Sequence, residues 1–268
     1  MSSPENIANE FLEVASEQRL NVLFLLNKEK MNLAGMARSL DATPSELHRN
    51  FGRMQKAGMI KKDADGNYEL TLYGKTICAQ IPTFSFMIRN KKYFENHSFC
   101  DLSIKYIQRI GALLESEQIM GYVKVMEQWE SIYKNAKEYI YNILIEAPYN
   151  EKLLKIIDSK LSNKIKILSI FSESAIVPNE RQELLTKFNF SKFVKDEILQ
   201  RKMKKDAKIA LILNEKEAGL SFPTDDGEPD LSKMFYSSDN LFHEWCLDFF
   251  NDVWKVSNTF QEAKIGKS

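Results

Sequence analysis

An arginine can hold a guanine edge or a phosphate through two parallel N–H bonds, and a lysine meets a phosphate as a point charge. Both residue types crowd one stretch of this sequence. Between Arg38 and Lys62 stand six basic residues (Arg38, Arg49, Arg53, Lys56, Lys61, Lys62) against two acidic ones (Asp41, Glu46), an excess of four. The whole chain is neutral, with 37 basic and 37 acidic residues. A polyanionic partner would therefore be met by a local footprint, not by overall charge. Other chemistry is thinly supplied. Cys78, Cys100 and Cys246 form no CxxC pair and have no histidine at metal-ligand spacing. They read as thiols in a reducing compartment, with a redox switch as the alternative. Neither GxxxxGK nor GxGxxG occurs, so no phosphate-cradling loop is expected. Asp225, Asp226, Glu228 and Asp230 lack the ligand order and closing glutamate of a calcium loop and read as a solvent loop.

The basic residues need a scaffold, and the local sequence supplies one. In TPSELHRNFGRMQKAG, Thr43 is a good N-cap, Pro44 fits the first helical position, and Glu46 stands where a capping box needs it. Leu47, Phe51 and Met54 fall at i, i+4 and i+7 and form the inward stripe. The opposite face then presents Ser45, His48, Arg49, Gly52, Arg53 and Lys56. An outward Gly52 costs the helix roughly 1 kcal/mol, which a close backbone approach to another surface would explain. Gly58 ends the helix. Met59–Lys62 and Tyr68–Leu72 flank Asp-Ala-Asp-Gly-Asn and read as a β-hairpin. Upstream, ENIANEFLEVASEQRLNVLFLLNK reads as two helices with Ser16 capping the second, and MNLAGMARSL as a short third. Three helices followed by a hairpin is the order of a winged helix-turn-helix. A charged helix face is ordinarily a solvated face, and the ordered set of capped helix, Gly stop and hairpin with a basic first strand favours DNA contact over that reading.

From Tyr73 to about Lys134 the pattern is again helical, interrupted at Pro82 and at His97-Ser98. Its aromatics, Phe84 to Tyr106, read as core, with an apolar effector pocket as the other option. The last half changes character. EYIYNILI, KIKILSIF and AKIALIL are short β-branched runs separated by helical stretches such as NEKLLKIIDSKL, which predicts a parallel pair with a crossover. EAGLSF reads as another strand. SDNLFHEWCLDFFNDVWKVSN reads as a closing helix burying Phe242, Trp245, Phe249 and Val253.

Two stretches resemble known families. SEQRLNVLFLLNKEKMNLAGMARSLDATPSELHRNFGRMQKAGMIKKDADGNYELTLYGK resembles the winged-helix domain of the arsenical-resistance-repressor and TrmB-like families. The resemblance implies a domain that binds double-stranded DNA, usually as a dimer. By position it places Ser45, His48, Arg49 and Arg53 toward the major groove and Thr43 near a phosphate, with Lys61, Lys62 and Asn67 in the wing. The end of the chain, from KIALILNEKEAGLSFP through DGEPDLS to FHEWCLDFFNDVW, resembles archaeal winged-helix regulators, including those linked to methanogenesis. Their C-terminal halves are degenerate relatives of the phospholipase D fold, and such domains are thought to sense an effector or support dimerisation. Phospholipase D chemistry needs a nucleophilic histidine with a lysine two residues on. His48, His97 and His243 are followed there by Asn50, Phe99 and Trp245, so an enzyme is not expected.

The sequence therefore predicts an α+β chain: a winged-helix DNA-binding domain at 1–75, a helical connector or dimerisation region at 76–134, and an α/β sensor domain at 135–268. The expected function is sequence-specific DNA-binding transcription regulation by a homodimer, with DNA contacts from Thr43, Ser45, His48, Arg49, Arg53, Lys56, Lys61, Lys62 and Asn67. Double-stranded DNA is the expected partner, a small-molecule effector is left open, and no cofactor or metal is called for. No apolar run approaches the roughly 18 residues that span a bilayer. MSSPENIANEF lacks the basic start and apolar core of a signal peptide, so a cytoplasmic location is expected. The rival is a winged-helix adaptor that binds protein and leaves DNA alone; residues 1–75 hold ten basic and ten acidic residues.

Overall fold

The computed structural model describes residues 3–146, 151–176, 183, 186–188 and 190–262. The chain is α+β and divides into two compact units, Met1–Phe84 and Ser85–Ser268.

The first unit runs α1 (Pro4–Val14), α2 (Glu17–Lys28), α3 (Leu33–Leu40), α4 (Pro44–Lys56), β1 (Ile60–Lys62) and β2 (Tyr68–Leu70), and α5 (Leu72–Arg89) begins in it. Local chemistry accounts for most of these boundaries. Asn32 caps α3 through its side chain, and Asp41 ends it in the left-handed region at φ 47°. Thr43 and Glu46 complete the predicted capping box on α4. Gly58, at φ 73°, releases the chain from α4 into the antiparallel pair of β1 and β2. Thr71 donates its hydroxyl to the Gly58 carbonyl at 2.6 Å and accepts from the Gly74 N–H at 3.0 Å, so β2 stops at Leu70 and α5 starts at Leu72. Gly74 is fixed by space: a Cβ there would lie 2.0 Å from the Met59 carbonyl oxygen. Val22, Leu23, Met36, Leu47, Phe51 and Met54 pack with Met59, Ile60 and Tyr68 as one core. Sequence reading breaks the chain at Pro82, whereas α5 runs through it; a proline removes one ladder donor and can kink a helix without ending it.

The second unit is built on an eight-stranded sheet. Its strands are β3 (Glu117–Met120), β4 (Tyr139–Glu146), β5 (Lys166–Ile176), β6 (Leu199–Lys204), β7 (Ala210–Asn214), β8 (Ala218–Ser221), β9 (Lys233–Ser237) and β10 (Asn258–Thr259), in the spatial order β10-β6-β5-β4-β7-β8-β9-β3. β4, β5 and β6 are parallel and the other pairs antiparallel. The sheet is thus mixed. The expected crossover is present: α8 (Glu151–Ser162) joins β4 to β5. One face is covered by α7 (Tyr122–Asn135) and α8 through Val125, Trp129, Ile132 and Leu154. The other is covered by the closing helix α10 (Asn240–Val256), through Phe242, Trp245 and Phe250, together with Phe86, Tyr93 and Tyr106. The short α6 (Ile104–Gln108) joins the second face through Tyr106, and the short α9 (Ser191–Lys195) the first through Phe193. Of the stretch 76–134, expected as a helical connector or dimerisation region, residues 85–134 supply helices to both faces and β3 to the sheet. Large aromatics need burial, and the sheet provides it. On α10 the buried residues are Phe242, Trp245, Cys246, Phe250 and Val253, and Phe249, expected among them, is only half-buried. Asp230, read as part of a solvent loop, is half-buried and bonded through Oδ2 to His97 Nε2 at 2.9 Å.

Candidate nucleic-acid interface

Helix α4 buries Leu47, Asn50, Phe51 and Met54. With 3.6 residues per turn, the centre of the opposite side is the stripe Ser45, Arg49, Gly52 and Lys56, all exposed. His48 and Arg53 sit on its two shoulders, also exposed. Asn50, at an inward position, donates to the Gln18 side-chain oxygen at 2.9 Å, which ties α4 to α2. A Cβ on Gly52 would meet nothing within 4 Å, so no packing within the chain explains that glycine. Arg49 and Lys56 have no ion-pair partner among the described residues. Their charges are available to a ligand.

Arg53 is not in the same state. Its Nε and Nη2 donate to the two carboxylate oxygens of Glu13 at 3.0 and 2.6 Å. That hydrogen bond, with the charges of Arg53, Arg19 and Lys56, holds the Glu13 carboxyl below its ordinary range. Arg19, buried in α2, donates to the Glu13 and Leu12 carbonyls at 2.6 and 2.7 Å and so caps the end of α1. Neither Glu13 nor Arg19 was singled out from sequence. They lie 40 and 34 residues from Arg53, and no local pattern links such positions.

The remaining predicted residues are placed as follows. Thr43 is exposed, with its hydroxyl committed to Glu46, accepting from the Glu46 N–H at 3.3 Å and donating to Oε2 at 2.8 Å; that donated bond, with one from the Thr43 N–H to Oε2 at 3.2 Å, holds the Glu46 carboxyl below its usual value. Lys61 is paired across the hairpin with Glu69 at 3.0 Å. Lys62 lies 5.7 Å above the Tyr68 ring. Asn67 is half-buried and its N–H donates to Asp63 Oδ1 at 2.9 Å, a bond that helps keep the Asp63 carboxyl low. The hairpin from Ile60 to Leu70 carries Lys61 and Lys62 against Asp63, Asp65 and Glu69. Its charge is slightly negative. The structure therefore brings together Ser45, His48, Arg49 and Lys56 on one face of α4, while Arg53 is engaged by α1 and the hairpin lysines by their own neighbours.

The other histidines are inside the second unit: His97 is buried between the Tyr93 carbonyl and Asp230, and His243 Nε2 lies 2.7 Å from the Asn214 carbonyl. Among the described residues no group of three or more His, Cys, Asp or Glu is arranged to hold a metal, and no helix is long and apolar enough to cross a membrane.

No protein-family description matches this chain, and no curated protein does. Solved structures are similar at the level of the chain path. TrmBL2, an archaeal chromatin protein described as showing a novel mode of DNA binding, is 9% identical with a TM-score of 0.43, covering 96% of this chain and 100% of that one. Nuc from Salmonella typhimurium, a phospholipase D family member, is 10% identical with a TM-score of 0.40, covering 55% of this chain and 100% of that one. At such scores neither likeness bears on what this chain binds or does.

Proposed function

We propose that this chain is a DNA-binding transcription regulator whose first unit is a winged helix, with α4 as the helix that enters the major groove. The observation that carries the reading is the outer stripe of α4. It pairs two uncommitted cations, Arg49 and Lys56, with a glycine that nothing inside the chain requires. A backbone approaching a groove wall closely would need that glycine, and groove and phosphates would use the cations. Ser45, His48 and Arg49 are assigned to base edges, with Lys56 on a phosphate. Thr43, Lys61, Lys62 and Asn67 support the backbone contact, and Arg53 joins them only when its fork is released from Glu13. The protein acts as a homodimer in the cytoplasm, its two α4 helices entering grooves about one helical turn apart. The second unit senses an effector or holds the dimer together, and an effector would act by binding one arrangement of the pair more tightly than another. No catalytic role is assigned.

A second reading, a protein-binding adaptor, is favoured by one observation: α1 leaves Phe11 and Leu12 more than half exposed. A salt titration separates the two. For purified protein and a fluorescent random duplex, the DNA reading predicts that log affinity falls steeply with log salt. No measurable affinity at low salt would leave the adaptor.

A further inference from the structure

Glu13 sits in the last turn of α1, where a carboxylate faces the negative end of the helix dipole and is unfavourable. Its presence there needs a cause other than the stability of α1. The side chain is only 21% exposed and is surrounded by positive charge: Arg53 in a two-point hydrogen bond, Arg19 with Nε 4.0 Å away, and Lys56 close enough to lower its pKa. The two oxygens take Nε and Nη2 of Arg53, the same fork that a guanidinium offers to a phosphate or to a guanine edge. Arg53 therefore cannot give a DNA ligand its Nε/Nη2 fork while Glu13 holds it, and only the Nη1/Nη2 edge is left.

We propose that Glu13 is an internal competitor for DNA at Arg53, occupying the arginine's Nε/Nη2 donor edge in the free protein. The inference rests on the DNA-binding reading above. With Glu13 in place, non-specific phosphate contact through Arg53 is suppressed, and the contacts of Ser45, His48 and Arg49 decide which duplexes are held. Raw affinity is thereby lowered while sequence preference is kept, because a competitor for backbone contact weakens all duplexes alike. Releasing Arg53 adds one phosphate contact and leaves base reading untouched.

The test is a double-mutant cycle on the full chain with Glu13→Gln, Arg53→Ala and the double variant. Anisotropy titrations would use a random duplex and the best-bound duplex from selection, over a range of KCl. Each protein's melting curve is recorded, and Arg19's bonds to backbone carbonyls keep α1 anchored in every variant. Glu13→Gln is expected to bind the random and the selected duplex about two- to fivefold tighter alike, with a salt slope steeper by roughly one and the ratio of specific to random affinity unchanged. In the Arg53→Ala background the same change should have little effect on the slope. Wild-type binding with no gain, or a loss, in a folded Glu13→Gln protein overturns the competitor and leaves the DNA reading standing. A gain that persists unchanged without Arg53 also overturns it, since the effect would then be one of general charge. Absence of wild-type binding to any duplex would remove the DNA reading, and the competitor with it.

Discussion

Arg49 and Gly52 make the sharpest demands on the account at the scale of single residues. Arg49 is exposed and without an ion pair among the described residues, so Arg49→Ala should leave the melting temperature nearly unchanged. If its guanidinium reads a base, the same change should weaken the selected duplex by about 1–3 kcal/mol and relax the preference at one position. Gly52→Ala separates stability from binding. Its new methyl meets nothing within 4 Å, so helix propensity alone should stabilise the free protein by roughly 0.5–1 kcal/mol. Close approach to DNA would make the same methyl harmful to binding. A thermal melt and an anisotropy titration on one preparation should therefore move in opposite directions. If both improve, α4 does not dock through this face.

Capping and ion pairing carry the predictions at the scale of elements. Thr43→Ala removes the capping box from α4 and should lower stability by about 1 kcal/mol, read as a lower urea midpoint in far-ultraviolet circular dichroism. In the second unit, Asp252 joins α10 to α6: it accepts from Lys105 and from the Tyr106 hydroxyl, and those bonds push its pKa down to about 2. A depressed carboxyl stabilises the fold above its ordinary pKa, and that contribution disappears as pH falls through the native value. Trp129, Trp245 and Trp254 all lie in this unit, so tryptophan fluorescence follows it alone. Asp252→Asn should reduce stability at neutral pH and narrow its gap to wild type as pH drops from about 4 toward 2; a constant gap would show that charge is not the cause. The elements that were legible in the sequence were those fixed locally. The Thr43–Glu46 box, the Leu47–Phe51–Met54 stripe and the Asp-rich turn before Tyr68 all declare themselves within a few residues. β3 was not legible: Glu-Gln-Ile-Met is an edge strand with one half-buried and three exposed residues, and it has no alternation strong enough to signal pairing. The site divides the same way. The stripe of α4 follows from helical period alone, whereas Glu13 beside Arg53 depends on how α1 and α4 pack.

Two questions belong to the whole molecule, how many copies act together and whether they read sequence. The proposed homodimer needs a self-complementary surface, and the face tested for it is that of α1, with Ile7, Phe11 and Leu12 between 47% and 60% exposed. Phe11→Ser/Leu12→Ser is expected to reduce the mass measured by light scattering from two chains to one; a two-chain mass in the variant would move the interface elsewhere. The central claim is that α4 reads duplex DNA in its major groove. It is tested most directly by incubating the protein with random genomic fragments at two salt concentrations, sequencing those retained, and repeating with Arg49→Ala. The account predicts enrichment of an inverted-repeat site that survives the higher salt and is lost in the variant. Retention of no fragments, or of all fragments without preference and regardless of Arg49, would contradict it.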